Sequence, residues 1–344
     1  MKRGQSTRAG VIGTGLVGGS IAAGLTTAGW DVVGYDADLD SLNVAAERGF
    51  IRVAVDSIDG VLDAKPGIVI VAAPPKATIE IVSNLASSSV TMDVAGIKTP
   101  VIEAASHLAR FVGTHPMAGR ESSGPRFASP ALFRGANWVV VDGAPDDATT
   151  RAVEVIRALG ANPIFMSAAD HDHAVAAISH LPQILAAGLL STAAETPEAL
   201  DLAAGSFRDL TRVAASQPIP WVEILKSNEG AVLEAIAGLR EQLDAEESAI
   251  RADDDDLLTY LSRSRDVRRA LGAPVAAVRI SLADEPGEIA KVGHALEESH
   301  VDVRDIQMRH APYGGGGVLT ISVRAGDQEA LTHAIEDVGL LTVP

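Results

Sequence analysis

The segment Gly13-Thr14-Gly15-Leu16-Val17-Gly18 constrains the fold more than any other stretch of the chain. A G-x-G-x-x-G spacing is common, but here it directly follows a β-branched run at 9–12 and opens a helical pattern at 20–28. A second strand-like run, 32–35, then ends in Asp36, eighteen residues after Gly18. That order is the start of a βαβ unit built to hold a dinucleotide. Gly13 permits the tight turn, Gly15 lets a pyrophosphate approach the backbone, and Gly18 lets helix and strand pack closely. Leu16 and Val17 begin the helix whose N-terminal dipole faces the phosphates. A carboxylate at Asp36 accepts from ribose hydroxyls and repels a 2′-phosphate, so NAD is expected in preference to NADP. Arg52 lies beyond the second helix and reads as a surface residue.

The same alternation continues. Strand-like runs at 67–72, 90–94, 111–113 and 137–141 are interleaved with helical patterns at 39–48, 78–85 and 148–159. Strands alternating with helices imply a parallel sheet covered on both faces. After Phe165 the pattern changes to an Ala/Leu-rich helical segment, 169–251, closed by the acidic run Asp253–Asp256, which reads as a solvated helix end or linker. A third pattern follows: strand 275–282, helix 287–299, strand 303–309, a glycine turn at 314–317, strand 318–323 and helix 328–338. The expected architecture is therefore an α/β Rossmann dinucleotide-binding domain at 1–166, an all-α domain at 167–262, and a small α+β domain at 274–344.

Charge bounds the partners. The 344 residues carry 28 Lys+Arg against 45 Asp+Glu, a formal net charge of −17. Nucleic acid and anionic membrane both reward clustered Lys and Arg, so neither is an expected partner. No cysteine is present, which removes disulfides, thiolate catalysis and Cys-based metal sites and fits a cytoplasmic protein. The stretch at 174–190 is the longest membrane-span candidate, and Ser179, His180, Pro182 and Gln183 interrupt it. Yet small anionic substrates are not excluded. Binding one would take local positive charge that the global balance does not reveal.

His115 lies in Gly113-Thr114-His115-Pro116-Met117-Ala118-Gly119, just after a strand-like run, where the carboxyl ends of a parallel sheet form the ligand crevice. A histidine there can take a proton from a substrate hydroxyl as hydride leaves the same carbon. Glu121, Ser122 and Ser123 follow on a polar loop and either bind substrate or cap a helix. His171, Asp172, His173 and His180 offer no ligand spacing that favours a metal.

The glycine turn, the 113–119 block with Glu121 and Gly124, Ser179-His180-Leu181-Pro182, and Gly205-Ser206-Phe207-Arg208-Asp209-Leu210-Thr211-Arg212 followed by Trp221 together resemble the prephenate dehydrogenase family. That family includes arogenate and cyclohexadienyl dehydrogenases of tyrosine biosynthesis. The resemblance covers roughly the first three-quarters of the chain. It implies NAD-dependent oxidative decarboxylation of prephenate to 4-hydroxyphenylpyruvate. It also implies that His115 hydrogen-bonds the ring 4-hydroxyl, that Arg212 binds a substrate carboxylate, that Glu121 gates or orders the site, and that His180 shapes the pocket. A homodimer built by the helical domain is implied as well, and a dianionic substrate implies a small basic pocket inside an acidic shell, drawn from Arg212, Arg208, Lys98, Arg120 and the first helix's N-terminus.

Two departures from the family pattern stand out. Asp93-Val94-Ala95-Gly96-Ile97-Lys98 has glycine where many members have a serine that bonds the catalytic histidine or the nicotinamide; Ser122, Ser123 or water is then expected in that role, or His115 is held more loosely. Gln183 stands where a second histidine would approach the substrate side chain, which keeps arogenate dehydrogenase as an alternative. The 282–289 segment resembles the strand-to-helix turn of an ACT domain, with Asp284 capping the helix, Pro286 stiffening its entry and Gly287 admitting a ligand; an aromatic amino acid is the expected effector, and a module for dimerisation only is the alternative. Two other classes are a non-catalytic NAD- or amino-acid-sensing protein and a β-hydroxyacid dehydrogenase. The latter relies on a helical-domain lysine, and Lys226, the only lysine between Phe165 and Arg251, lies outside a G-x-x-x-K pattern.

Overall fold

A computed structural model describes residues 7–119, 124–196, 198–270, 275–310 and 316–343. The chain divides into two compact units, Met1–Glu241 and Gln242–Pro344.

The first unit opens with β1 (Arg8–Ile12), α1 (Leu16–Thr27), β2 (Asp31–Tyr35), α2 (Leu39–Glu47), β3 (Val53–Ala54), α3 (Ile58–Asp63), β4 (Ile68–Val71), α4 (Pro75–Asn84), β5 (Val90–Asp93), α5 (Thr99–Ala104) and β6 (Phe111–Val112). The six strands are parallel in the order β3-β2-β1-β4-β5-β6. Alternation along β4 explains the burial of every residue in it. Ile68 and Ile70 enter one apolar core, Val69 and Val71 the other, so both sheet faces are covered. The strand order reverses between β1 and β4, and the crevice for ligands opens beyond their carboxyl ends.

A second, three-stranded sheet follows. It contains β7 (Thr114–Pro116), β8 (Asn137–Val141) and, after α6 (Asp146–Ala158), β9 (Asn162–Met166); β7 runs antiparallel to β8, and β9 parallel to it. His115 follows the parallel strand β6 as expected, and it sits inside β7, a strand of this second sheet, opposite Val139.

The helical segment comprises α7 (Ala168–Val175), α8 (Leu181–Ala194), α9 (Gly205–Thr211), α10 (Pro218–Ser227) and α11 (Glu229–Arg251). A π turn at Ala176–His180 joins α7 to α8. Pro182 has no N–H to give the preceding turn, which accounts for the widening there. The resulting run Ala168–Ala194 is long and apolar enough, by length and composition, to cross a membrane, so the polar interruptions at 179–183 are weaker than the sequence suggested. Ile178, Leu185, Leu189, Leu210, Ile219 and Val222 are exposed on this segment, more apolar surface than a lone subunit ordinarily leaves in water.

In the second unit α12 (Asp254–Ala270) begins with Asp254, Asp255 and Asp256, so part of the acidic run lies at the positive end of a helix dipole. Then come β10 (Val275–Leu282), α13 (Glu288–Ser299), β11 (Val303–His310), β12 (Gly317–Arg324), α14 (Gln328–Asp337) and β13 (Leu341–Val343). The strands form an antiparallel sheet ordered β11-β12-β10-β13 over a core that includes Ile280, Ile321, Leu331 and Ile335. Two expectations are corrected here. Gly317 begins a strand and is not part of a turn, and α13 is preceded by Gly287 at φ 101° with no side-chain cap, so Asp284 does not cap it.

Candidate active site

The crevice is built at one end from backbone. Gly13 has φ 93°, and a Cβ on it would lie 2.4 Å from the Ala72 carbonyl oxygen; a Cβ on Gly18 would lie 1.9 Å from the Gly13 carbonyl oxygen. A Cβ on Gly15, by contrast, would meet nothing within 4 Å. Two glycines are thus forced by packing, and the third leaves open space at the start of α1, whose Gly15 N-cap has no side-chain partner. This is the cradle that a pyrophosphate needs, with uncapped N–H groups of α1, including those of Leu16 and Val17, at its floor. Asp36 closes the far side: Oδ2 accepts from the Thr14 backbone at 2.6 Å and from Thr14 Oγ1 at 3.1 Å, and Oδ1 accepts from Asp38 N at 2.9 Å. A carboxylate has about four lone-pair sites, which leaves one for a ribose hydroxyl. The residues present fit a dinucleotide.

The other end is built from buried side chains. His115 Nδ1 lies 2.9 Å from His171 Nε2, and His171 Nδ1 lies 2.8 Å from Asp172 Oδ1. Asp172 also ties two segments together. Its Oδ1 accepts from Lys98 N at 2.7 Å and its Oδ2 from Thr99 N at 2.8 Å, capping the start of α5 from α7. Burial alone would raise the Asp172 pKa, but the bonds from His171, Thr99 and Lys98 outweigh it and hold the carboxyl at about 2. Half-buried His115 titrates well below 6.5, first because of desolvation and then because His171, Lys98 and His180 disfavour a further positive charge. It is a neutral base at physiological pH.

Lys98 is not the pocket cation that the sequence suggested. Its side chain is fully buried, paired with Asp93, and its Nζ donates to the Thr114 carbonyl at 2.6 Å. Asp93 in turn accepts from Ala95 N at 2.9 Å and Thr114 N at 3.2 Å. Burial pushes the Asp93 pKa up and that of Lys98 down, and their mutual attraction opposes both shifts. The pair anchors the backbone immediately before His115. Gly96 lies on the other side of that ring, where an added Cβ would be 3.6 Å from His115 Nε2 in ordinary contact.

His180 belongs to the same cluster. Asn228 Nδ2 donates to the Asp172 carbonyl at 2.8 Å and lies 3.3 Å from His180 Nδ1. Burial is the main cause of a lowered His180 pKa. Its ring meets Trp221 edge-on at 6.3 Å, and Trp221 Nε1 donates to Ser216 Oγ at 3.2 Å. Ser216 Oγ is 3.5 Å from Gln183 Oε1. Arg212, exposed, opens the 3-10 turn Arg212–Ala215 that packs against α8. Glu121, Ser122, Ser123 and Arg120 lie outside the described residues. Sequence reasoning missed His171, Asp172, Asp93 and Asn228 as site residues, because their partners are far away in the chain or because they read as ordinary polar positions. The adjacent His171-Asp172 pair was the one available signal.

Comparison with known proteins agrees with this layout. The sequence matches the family models described as "Prephenate dehydrogenase, nucleotide-binding domain" over residues 21–164 and "Prephenate dehydrogenase, dimerization domain" over 167–263. It is 30% identical over 322 residues to the prephenate dehydrogenase of Lactococcus lactis, covering 88% of this chain and 89% of the relative. The prephenate dehydrogenase of Aquifex aeolicus, solved with hydroxyphenyl propionate and NAD+, superposes with TM-score 0.73 at 28% identity over 79% of this chain and 100% of that one. The arogenate dehydrogenase of Synechocystis gives TM-score 0.69 at 27% identity, over 77% of this chain and 100% of that one. With a nucleotide cradle, a dimerisation domain and a length-spanning relative in common, the chain belongs to the prephenate dehydrogenase family of oxidoreductases.

Proposed function

We propose that the protein oxidatively decarboxylates prephenate to 4-hydroxyphenylpyruvate with NAD+ as oxidant. The observation that carries this reading is a neutral, half-buried His115 held by a chain of contacts ending in an ionised Asp172. Gly13, Gly15, Gly18 and Asp36 would hold the dinucleotide, whose nicotinamide supplies the hydride acceptor. His115 takes the proton of the ring 4-hydroxyl as hydride leaves the same carbon. The bond to the ring carboxylate then breaks, carbon dioxide departs, and its electron pair restores the aromatic ring. The proton returns from His115 to the phenolate oxygen.

Arg212 binds a substrate carboxylate, a task that suits a planar guanidinium, and Glu121, Ser122 and Ser123 are assigned to substrate binding on their sequence motif alone. Because Asn228 donates toward His180 Nδ1, neutral His180 carries its proton on Nε2 and presents a donor. Such a donor asks for an acceptor on the substrate side chain, and the Gln183 amide, 3.5 Å from Ser216 Oγ, can donate or accept beside it. A keto acid side chain offers that acceptor, whereas the ammonium of arogenate does not, and this favours prephenate. Arogenate dehydrogenase activity is the second reading. NADH formation measured with prephenate and arogenate, each with NAD+ and NADP+, tests both; the expected order is prephenate with NAD+ first, and inactivity with every pair would return the chain to the sensing class.

The family's dimerisation domain and the exposed apolar side chains of α8 and α10 support a homodimer. For the C-terminal module we propose an ACT-like role in feedback. Its βαββαβ order and the uncapped entry to α13 at Gly287 support an amino-acid site near Asp284, Pro286 and Gly287. Tyrosine should raise the thermal midpoint of the full chain and lose that effect in Gly287→Val; no shift with any aromatic amino acid contradicts it.

A further inference from the structure

We propose that His171 is a positioning residue that fixes which nitrogen of His115 is the base, a proposal that rests on the dehydrogenase reading above. With His171 as the neutral imidazole, each hydrogen in the chain follows from what its partner can accept. Asp172 is ionised, so its Oδ1 only accepts, and His171 must present Nδ1–H across their 2.8 Å contact. A neutral His171 then has a bare Nε2. That nitrogen can only accept, so His115 must carry its own proton on Nδ1 to make the 2.9 Å contact. The remaining nitrogen of His115, Nε2, is left as a lone pair.

Nε2 is also the atom that faces Gly96, where there is no side chain to occupy it. With a hydroxyl-bearing residue there, the ring could be held from the Nε2 side. Here it is held from Nδ1 instead, by an imidazole that is fully buried and itself fixed by Asp172. The T-shaped packing of the two rings, 76° between planes with centroids 5.1 Å apart, locks the donor of one onto the lone pair of the other. When His115 takes a proton on Nε2, the imidazolium's Nδ1–H remains pointed at His171, and the Asp172 charge lies one ring away to stabilise it. Asp172 therefore acts on the reaction at two removes, while capping α5.

The tautomer is directly observable. In 15N-histidine-labelled wild-type protein at pH 7.5, long-range proton–nitrogen spectra, assigned with His115→Asn, should show His115 protonated at Nδ1 and bare at Nε2. The amide of His171→Gln can reach the same place but can present either oxygen or NH2, since Asp172 no longer dictates its orientation. Mixed tautomers of His115 should result, with kcat on prephenate lowered about tenfold or more and KM unchanged, consistent with loss of support for a general base. A residue that only filled space would leave the tautomer as it was. An Nε2–H tautomer in the wild type, or a His171→Gln variant with unaltered kcat or with its loss confined to KM, overturns the proposal. A wild type with the expected tautomer that forms no NADH from either substrate would support the positioning role and sink the dehydrogenase reading instead.

Discussion

The two ends of the crevice are made of different materials. At the cofactor end the contacts come from backbone, and three glycines within six residues do most of the shaping. At the histidine end they come from side chains: His115, His171, Asp172, Lys98 and Asp93, drawn from three separate stretches of the chain. A backbone-built site is sensitive to added atoms and indifferent to pH. A side-chain-built site is sensitive to lost partners and to protonation. The first is written in one local motif, the second in long-range contacts.

Each end can be broken in its own way. The largest effect is expected at the buried pair. Lys98→Met leaves Asp93 buried without its counter-charge and should cost roughly 3–5 kcal/mol of stability, read as a lower denaturant midpoint. At the other end, Gly18→Ala forces a Cβ onto the Gly13 carbonyl. It should cost about 1–3 kcal/mol and weaken NAD+ binding, measured by calorimetry, without altering the His115 tautomer.

Acid should separate the two ends as well. Asp172 sits at about 2 when folded, below its unfolded value of 3.8, so its contribution is present above pH 4 and is lost as pH falls toward 2. That loss is worth about 2 kcal/mol. His115 acts in the same direction: its folded pKa lies below 6.5, so the unfolded chain binds its proton first and stability declines as pH drops below 6.5. Urea midpoints should therefore hold from pH 8 to 7 and fall from pH 6.5 to 3, and a profile flat throughout would contradict the buried network. The smallest effect is one of preference. Asp36→Ala removes the charge that opposes a 2′-phosphate and should narrow the NAD+ over NADP+ ratio roughly tenfold, about 1.4 kcal/mol, in steady-state rates.

The comparison also marks how far the sequence could be read. The helices α1 and α6 and the β-branched runs of β4 and β8 were legible, as was the glycine turn with Asp36, because their signals are local. The two-residue β3 and the six-residue helices α3 and α5 carry too few periods to register. The strand β9 was hidden by Pro163 and by its exposed residues, an edge strand without the alternation of a half-buried one. Lys98 read as a pocket cation because its counter-ion Asp93, five residues earlier, falls inside a strand-like run where no local pattern marks a buried acid. His115 was singled out by position and by family resemblance, but its orientation depends on a residue fifty-six positions away. No local pattern announces a contact of that kind.

The central claim is that His115 carries the proton chemistry while the glycine turn carries the cofactor. Single-turnover NADH formation from prephenate with His115→Asn, alongside the NAD+ dissociation constant, tests it most directly. The hydride step should slow by about 10²–10⁴-fold with the NAD+ dissociation constant unchanged. A hydride step within twofold of wild type would contradict it.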